Sequence, residues 1–327
     1  ELGDLYLIEV ERGCPWHCRF CLARHAFSPT RFHSAATILA QAEVGLKYRQ
    51  RLGLVGAAVT DHPQIEELMA KLRQMGAQLS ISSLRIKPLS RTVVEALVAG
   101  GAQTITLAPE AGSERLRQVI NKGITEDDIL RAMDKVTEAG IKQLKLYFMI
   151  GLPTETDEDT EEIINLTLKC KQRLDRRQTG TRLTLNIAPF VPKAGTPFQW
   201  LPMAPLPALN QRIARLKSRL MPHGIKLKEE SAAWSEVQGI LARGDTHVTA
   251  VLAGMEAVSL AGWRQAIARY QLDADYYAHQ RWDISQKLPW EIIDSGTKRR
   301  HLELELKKAL AAADYAEAGG SLASKRR

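Results

Sequence analysis

From residue 5 to about residue 190 the chain alternates short apolar runs with amphipathic stretches of helical period. The apolar runs, where we expect strands, span residues 5–10, 52–59, 78–82, 103–108, 143–150 and 183–188. The stretches between them predict helices, for example over residues 35–49 and 91–99. Near-continuous apolar strands that alternate with helices are typical of a parallel sheet covered by helices. The pattern therefore predicts an α/β fold of six successive βα units.

Local signals fix some boundaries of these elements. Pro63 is expected to open a helix in its first turn, where a missing N–H costs nothing. Thr125 and Asp128 have the spacing of a capping box at a helix start, and Gly140 is expected to close that helix. A later helix is expected to end near Arg177. Right-handed crossovers curl such a sheet into a barrel or leave it open and doubly wound.

The pattern changes after about residue 200. Residues 200–207 contain three prolines and are interpreted as a linker, and a mostly helical region follows. We predict three parts, namely a barrel at residues 1–200, a helical C-terminal extension at 201–310 and a tail at 311–327. The tail is rich in Ala and Gly and is expected to be disordered beyond about residue 318.

Polar residues follow the predicted strands at six successive ends. They are Cys14 to Cys21, Thr60-Asp61-His62, Ser82-Ser83-Leu84-Arg85, Glu110, residues 151–155 and Asn186. In parallel α/β folds the carboxyl ends of the strands carry the functional groups. We therefore expect these residues to share one site.

Composition narrows the functional classes without choosing among them. Hydrophobic residues make up 45% and charged residues 25% of 327 residues, which excludes a disordered chain, a collagen-like repeat and a disulfide-stapled mini-protein. No apolar run reaches the roughly 18–20 residues that a membrane helix needs. The net charge of +8 and the pI near 9.3 permit a nucleic-acid or phosphorylated substrate but do not demand one.

Cysteine placement is more informative. Three of the four cysteines, Cys14, Cys18 and Cys21, form a C-x3-C-x2-C run, while Cys170 stands alone in a helical stretch. Crowded thiols without a signal peptide predict a metal site in a reducing compartment, and we expect a cytoplasmic protein. Three thiolates can hold a [4Fe–4S] cluster with one open iron. A structural zinc site is the alternative and needs a fourth ligand, with His17, His25, His33 and Cys170 as candidates.

The cysteine run, with aromatic Phe20 just before its last cysteine and its position after the first strand, resembles the radical S-adenosylmethionine (SAM) superfamily. The resemblance covers roughly residues 5–200 and implies a partial (β/α)6 TIM-like barrel. It also implies that Cys14, Cys18 and Cys21 bind a [4Fe–4S] cluster, whose open iron takes the amino and carboxylate groups of SAM.

Three further stretches, residues 8–14, 108–114 and 151–156, resemble the subfamily whose members often carry an N-terminal cobalamin-binding domain. The C-terminal region from Trp234, with Leu288-Pro289-Trp290, resembles the extension of an uncharacterised branch of it. No cobalamin domain is visible in this sequence, so we expect it to be removed or to lie on sequence ahead of Glu1. Cobalamin is a cofactor here only in that case.

The resemblance also implies cofactor-binding residues. Phe20 would flank the adenine, and Thr60 and Asp61 would replace the family's Gly-Gly-Glu-like contact to the SAM amino group. Ser82, Ser83 and Arg85 match the region that meets the ribose and the carboxylate. The remaining candidates for SAM or substrate contacts are Glu110, Ser113 and Asn186. Purely structural roles are the alternatives for some residues. Glu110 could cap a helix, Arg85 could form an ion pair, and the tryptophans of the C-terminal region could anchor the core. No catalytic residue is predicted.

The resulting hypothesis is an enzyme that reductively cleaves SAM to a 5′-deoxyadenosyl radical, with methyl transfer favoured if cobalamin is present. Its partners would be a reductant such as ferredoxin or flavodoxin and an unknown substrate, which could be a small molecule, a peptide or tRNA. A tRNA-modifying enzyme of the same superfamily is the first alternative. A zinc-stabilised nucleic-acid-binding module and a cluster-bearing scaffold are the others.

Overall fold

The computed structural model describes residues 4–81, 84–178 and 180–317, and two parallel sheets form its centre. In the first sheet β4 (Arg51–Val55) lies between β1 (Tyr6–Glu9) and β5 (Gln78–Ile81). The second sheet has the order β6 (Thr104–Glu110), β7 (Gln143–Ile150), β8 (Arg182–Pro189) and β9 (Lys226–Glu229). A parallel bridge between Leu84 and Leu107 joins the sheets. The strands follow one another in chain order, which is the topology of a partial α/β barrel.

Helices connect these strands and cover the outside of the barrel. They are α1 (Leu22–Ala26), α2 (Ala35–Leu46), α3 (Ile65–Gln74), α4 (Arg91–Ala99), α5 (Glu114–Val119), α6 (Glu126–Glu138), α7 (Asp157–Arg177) and α8 (Leu206–Leu220). A short antiparallel pair, β2 (Glu11–Arg12) and β3 (Arg31–Phe32), flanks the loop that holds three of the cysteines. The predicted capping box of Thr125 and Asp128 is present at the start of α6. The α/β fold class and the TIM-like barrel predicted from the sequence are confirmed.

Three details of the barrel differ from the sequence prediction. The second strand ends at Val55 and a 3-10 segment, Val59–Asp61, follows it. Pro63 lies two residues before α3. The strand β9 was not predicted at all, because its sequence Lys-Leu-Lys-Glu has a single apolar residue and lies at the end of the sheet, paired in parallel with β8.

Residues 200–207 are packed against the protein and do not form the free linker that their prolines suggested. Trp200, Leu201 and Met203 are buried. Leu209, Leu216 and Leu220 of the following helix α8 belong to the same apolar core as the barrel strands. The chain beyond residue 200 therefore continues the barrel through α8 and β9 before the helical region begins.

The C-terminal helices build a second apolar core near the carboxyl ends of the strands. They are α9 (Ala232–Arg243), α10 (Thr246–Ala253), α11 (Leu260–Tyr270), α12 (Ala274–Ala278) and α13 (Arg299–Glu317). Trp263 and Trp282 are buried in this core, whereas Trp234 is 42% exposed. The helix α13 continues through residues 311–317, which the sequence assigned to the tail, and residues 318–327 lie outside the described residues. No helix in the described ranges is long and apolar enough to cross a membrane.

Candidate functional site

The three crowded cysteines lie on the loop between β2 and α1. Cys14 and Cys18 are buried, and Cys21 is half-buried at the N-terminus of α1, where its N–H donates to the Cys18 carbonyl at 3.2 Å. Gly13 has φ +93°, and a Cβ there would meet the Phe27 carbonyl oxygen at 2.3 Å, so glycine is required where the chain enters the loop. All four cysteines are free thiols.

The end of α5 holds this loop in place. The Arg19 N–H donates to the Ile120 carbonyl at 3.0 Å, and the Asn121 amide donates to the His17 carbonyl at 2.9 Å. The Arg19 guanidinium is buried and donates to the Val119 carbonyl at 2.8 Å, and its other side pairs with Glu305 of α13 at 3.1 Å. The loop is therefore tied to both the barrel and the C-terminal helical region.

Burial acts against thiolate formation in this loop. It raises the pKa of Cys18 to about 11, and the nearby Lys122 ammonium opposes the shift. It also raises the pKa of Cys14, against the opposing charge of Arg85. Because the thiolate is the form that ligates a metal, a bound cation has to replace these protons.

A second group of polar side chains surrounds Asp61, after the second strand of the first sheet. The Trp16 indole N–H donates to Asp61 Oδ2, and the Arg85 guanidinium lies 3.8 Å from the centroid of the Trp16 ring. Arg85 Nε is 3.6 Å from the same carboxylate oxygen. Asp61 Oδ1 and Thr60 Oγ1 are buried and have no hydrogen-bond partner among the described residues. Asp61 and Arg85 thus contact Trp16 of the cysteine loop, and the contacts with SAM predicted for Thr60, Asp61 and Arg85 stay predictions.

Glu110 ends β6 with φ +70°, a conformation that is uncommon outside glycine and often marks functional positions. Its Oε1 accepts from Lys122 Nζ at 3.0 Å, and both side chains are largely buried. Lys122 also acts electrostatically on Cys18, so this pair borders the cysteine loop. Glu110 therefore pairs with Lys122, and the helix-capping role considered for it belongs to Ser113.

Ser113 has a structural task that the sequence did not assign to it. Its Oγ accepts from the Leu116 N–H at 3.1 Å, which makes it the N-cap of α5, and its hydroxyl donates to Asp159. The hydroxyl thus both accepts and donates a hydrogen bond within the protein. Its predicted contact with SAM or substrate stays a prediction and would require these bonds to rearrange.

Phe20 and Asn186 lie toward the second sheet. Asn186 of β8 is in register with Tyr147 of β7, and Asn186 Oδ1 is buried with no hydrogen-bond partner among the residues described. Phe20 and Tyr147 line a cavity of about 150 Å³, together with Met149, Ala188, Pro189, Phe190, Val191, Lys193, Glu230 and Gln238. The cavity combines apolar walls with two charged groups at the ends of β7, β8 and β9. Ser82 and Ser83 lie outside the described residues.

Sequence reasoning missed Trp16, Lys122 and Tyr147. Trp16 stands inside the cysteine run, and its position there was the one available signal. Lys122 and Tyr147 reach the site through a turn after α5 and through the register of β7 with β8, neither of which a linear pattern reveals.

These groups fit a [4Fe–4S] cluster and SAM. The donor set is three thiols, of which Cys21 acts electrostatically on both Cys14 and Cys18. Buried polar atoms without partners are rare and costly, and SAM carries an ammonium and two ribose hydroxyls that can donate to Asp61 Oδ1 and Asn186 Oδ1. Within the described ranges, no three His, Cys, Asp or Glu side chains are close enough to hold a single metal ion.

Comparison with known proteins gives one family and several relatives. Residues 8–167 match the Radical SAM superfamily. The chain is 39% identical over 252 residues to an uncharacterised protein of Methanocaldococcus jannaschii, covering 76% of this chain and 54% of that protein. It is 27% identical over 176 residues to an uncharacterised methyltransferase of Pyrococcus horikoshii, covering 52% and 37%.

A third relative is a tRNA-2-methylthio-N(6)-dimethylallyladenosine synthase of Anoxybacillus flavithermus. It is 23% identical over 307 residues, which cover 88% of this chain and 56% of that protein. The chain thus spans about half the length, or less, of these curated relatives. Enzymes of the matched superfamily use a [4Fe–4S] cluster and SAM, and the matched residues include the cysteine loop, Asp61, Arg85 and Glu110. The chain belongs to the radical SAM superfamily.

Proposed function

We propose that Cys14, Cys18 and Cys21 hold a [4Fe–4S] cluster at which SAM is cleaved reductively, and that the enzyme transfers a methyl group. The observation that carries the first part is the position of these three free thiols beside buried polar atoms without partners, at the carboxyl ends of the strands. Methyl transfer is supported by the likeness to the P. horikoshii methyltransferase.

Cys14, Cys18 and Cys21 would hold the cluster, which when bound and reduced would supply the electron for cleavage of a C–S bond of SAM. The protein's own residues bind and orient. Asp61 Oδ1 accepts from the SAM ammonium, with Trp16 and Arg85 fixing the position of the carboxylate. Phe20 and the cavity that it lines receive the adenine, whose polar groups the nearby Asn186 can meet.

The apolar cover also contributes. Phe190 lines the cavity at Phe20 and packs edge-on against buried Phe198 of the second core, and this apolar side of the cavity disfavours bulk water. Exclusion of water matters because a carbon radical reacts with the nearest hydrogen donor. Cobalamin would take part if a domain that binds it accompanies this chain in the whole protein.

An EPR experiment tests the cluster and the open iron. The protein is reconstituted anaerobically with iron and sulfide, reduced, and measured with and without SAM. We expect a [4Fe–4S] signal that changes shape on adding SAM. Cys18→Ala should lose the signal, and the matched control Cys170→Ala should keep it because Cys170 is buried in α7 far along the chain from the loop. A zinc-only protein, or a signal that survives in Cys18→Ala, contradicts the proposal.

Product analysis distinguishes methyl transfer from the second candidate, modification of tRNA, which the likeness to the A. flavithermus synthase favours. The enzyme with SAM carrying a labelled methyl group is incubated with total tRNA or with a tRNA-free metabolite extract. Label in a tRNA nucleoside supports the tRNA candidate. Label in a small molecule, with S-adenosylhomocysteine formed beside 5′-deoxyadenosine, supports methylation of a metabolite. Methionine and 5′-deoxyadenosine as the only SAM products in both incubations contradict methyl transfer.

A further inference from the structure

A cavity outside the proposed SAM site lies between α1 and the segment that leads into α13. Its volume is about 280 Å³, and its lining residues are Arg24, His25, Ser28, Gly296, Thr297, Lys298 and His301. We call it the α1/α13 pocket. It falls just below the range of about 300–1,000 Å³ that is typical of drug-sized ligands, so it suits a small polar group.

Every ionisable side chain that lines the α1/α13 pocket is a base. Neither Arg24 nor Lys298 forms an ion pair with a carboxylate in the described part of the chain. Arg24 donates to two neutral groups, His17 Nδ1 at 3.2 Å and the Ser28 hydroxyl at 2.9 Å, and keeps further N–H groups free. The pocket thus holds positive charge that the protein does not neutralise.

The acidic groups near the pocket are already engaged. Glu305 of α13 is paired with Arg19 and with Lys308. Asp294 is exposed, and its Oδ1 accepts from the Gly296 N–H at 2.8 Å. The N-terminal turn of α13 adds N–H groups without partners inside the helix and the positive end of the helix dipole.

His25 gives the independent sign that a ligand belongs in the α1/α13 pocket. Its side chain is only 6% exposed, and Nε2 is buried with no hydrogen-bond partner among the described residues. Burial, together with the charge of Arg24, lowers the pKa of His25 to about 4, so the ring is neutral near pH 7. A neutral imidazole can donate through one ring nitrogen, and an anionic oxygen in the pocket would satisfy a proton on Nε2.

We propose that the α1/α13 pocket binds a phosphate group of the substrate, with His25 Nε2, Arg24 and Lys298 as its donors. The phosphate is carried either by a phosphorylated small molecule or by a nucleic-acid backbone. Arg24 contacts His17 of the cysteine loop, and α1 begins directly after Cys21. The site would therefore anchor a substrate one short helix away from the proposed cluster.

Phosphate titration tests the site on the reconstituted protein without SAM, so the result does not depend on SAM cleavage. Inorganic phosphate is followed by calorimetry at low ionic strength for the wild type, Lys298→Ala and Lys307→Ala. Both lysines are exposed, and Lys307 lies roughly two turns into α13, away from the pocket. We expect Lys298→Ala to weaken binding about tenfold, the usual effect of removing a charged hydrogen bond, and Lys307→Ala to bind like the wild type.

Two further ligands identify the carrier of the phosphate. A 5′-nucleoside monophosphate that binds at least as tightly as phosphate, with an RNA oligonucleotide that ignores Lys298→Ala, assigns the pocket to a small molecule. An oligonucleotide whose binding depends on Lys298, and falls steeply with salt, assigns it to a nucleic-acid backbone. Failure of inorganic phosphate to bind the wild type, or equal affinities of the three proteins, overturns the proposal whatever the oligonucleotide does.

Discussion

On the side of the second sheet, three largely buried carboxylates each meet a cation: Glu110 pairs with Lys122, Asp159 with Arg115, and Glu155 with Arg212. The first sheet treats its carboxylates differently. Asp61 has Arg85 only at 3.6 Å and keeps one oxygen without a partner, and Glu11 has no cationic partner among the described residues.

The paired carboxylates beside the second sheet indicate a structural role, whereas Asp61 and Glu11 beside the first sheet indicate a surface that binds a ligand. A buried carboxylate in direct contact with a cation needs no further cation, and this holds for Glu155 although its second oxygen has no partner among the described residues. A buried carboxylate without a cation in direct contact, such as Asp61 or Glu11, favours the arrival of one. SAM carries an ammonium and a sulfonium, so we expect the first sheet to contact its charged end. The second sheet, with Phe20 and Asn186 beside it, would contact the neutral nucleoside end.

The largest loss of stability is expected from breaking a buried ion pair beside the second sheet. Arg212→Ala leaves the Glu155 carboxylate buried without its cation, and such changes cost about 3–5 kcal/mol. Burial already raises the pKa of Glu155 to about 7, so the carboxyl is protonated in acid and the loss should shrink below about pH 6. Chemical denaturation at pH 8 and pH 5.5 measures this difference in the free energy of unfolding.

Arg215 is the matched control on the same helix. It pairs with Glu161 at 2.8 Å but is 40% exposed, so Arg215→Ala should cost less than about 1 kcal/mol at either pH. If the two variants lose equal amounts of unfolding free energy, the buried pair is no more important for stability than the exposed pair on α8, and the prediction is wrong.

The second prediction concerns Glu11, whose replacement is expected to raise the stability of the protein and not to lower it. Its Oε1 accepts from the Ala58 N–H, and its Oε2 has no hydrogen-bond partner among the described residues. A Cβ on Gly56 would lie 2.2 Å from that Oε2. Burial raises the pKa of Glu11 from 4.5 to about 7. Between those values the folded protein binds a proton that the unfolded chain releases, so stability falls as pH rises through this window.

Glu11→Gln removes that dependence while it keeps the shape of the side chain. We expect the variant to be more stable than the wild type at pH 8, by up to about 3 kcal/mol, and equal to it at pH 4. Denaturation across this range checks the sign. Glu9→Gln is the control, since the hydrogen bond from Arg12 lowers the pKa of half-buried Glu9, so its replacement should give no gain in stability at pH 8. Destabilisation of Glu11→Gln at pH 8 would mean that the Glu11 carboxylate is stabilised by a cation and would contradict this prediction.

The sequence predicted the barrel well because its signals are local. The apolar run of β7 and the helix α4 have the bounds that periodicity gave, and the capping box of α6 is made by residues three apart. The strand β9 was not predicted because it is defined by its pairing with β8, and an apolar pattern in the sequence does not reveal that pairing.

In the candidate site, too, features made by residues close in the sequence were predicted and contacts between distant residues were not. Cys14, Cys18 and Cys21 are close in the chain, so their spacing alone indicated a metal site. The contact of Trp16 with Asp61 spans 45 residues, and the Arg19–Glu305 pair spans 286. Such contacts depend on how the strands and helices are arranged. Ser113 shows a related difficulty, since the sequence did not reveal that its hydroxyl caps α5, while its contact with SAM or substrate stays a prediction.

Asn186 gives the smallest expected effect and tests whether the second sheet contacts the neutral end of SAM, because it is an uncharged side chain of that sheet with a buried oxygen left without a partner among the described residues. Because no described residue donates to this Oδ1, Asn186→Ala removes an unsatisfied acceptor and should change the free energy of unfolding by less than about 1 kcal/mol. If the atom accepts from the nucleoside end of SAM, the same variant should weaken SAM binding about fivefold, as the loss of one neutral hydrogen bond does. Calorimetry on the reconstituted protein measures that affinity beside Asp61→Asn, for which a larger loss is expected because it removes a charge facing an ammonium. Equal losses for both variants would mean that the two sheets do not divide SAM into a charged and a neutral end.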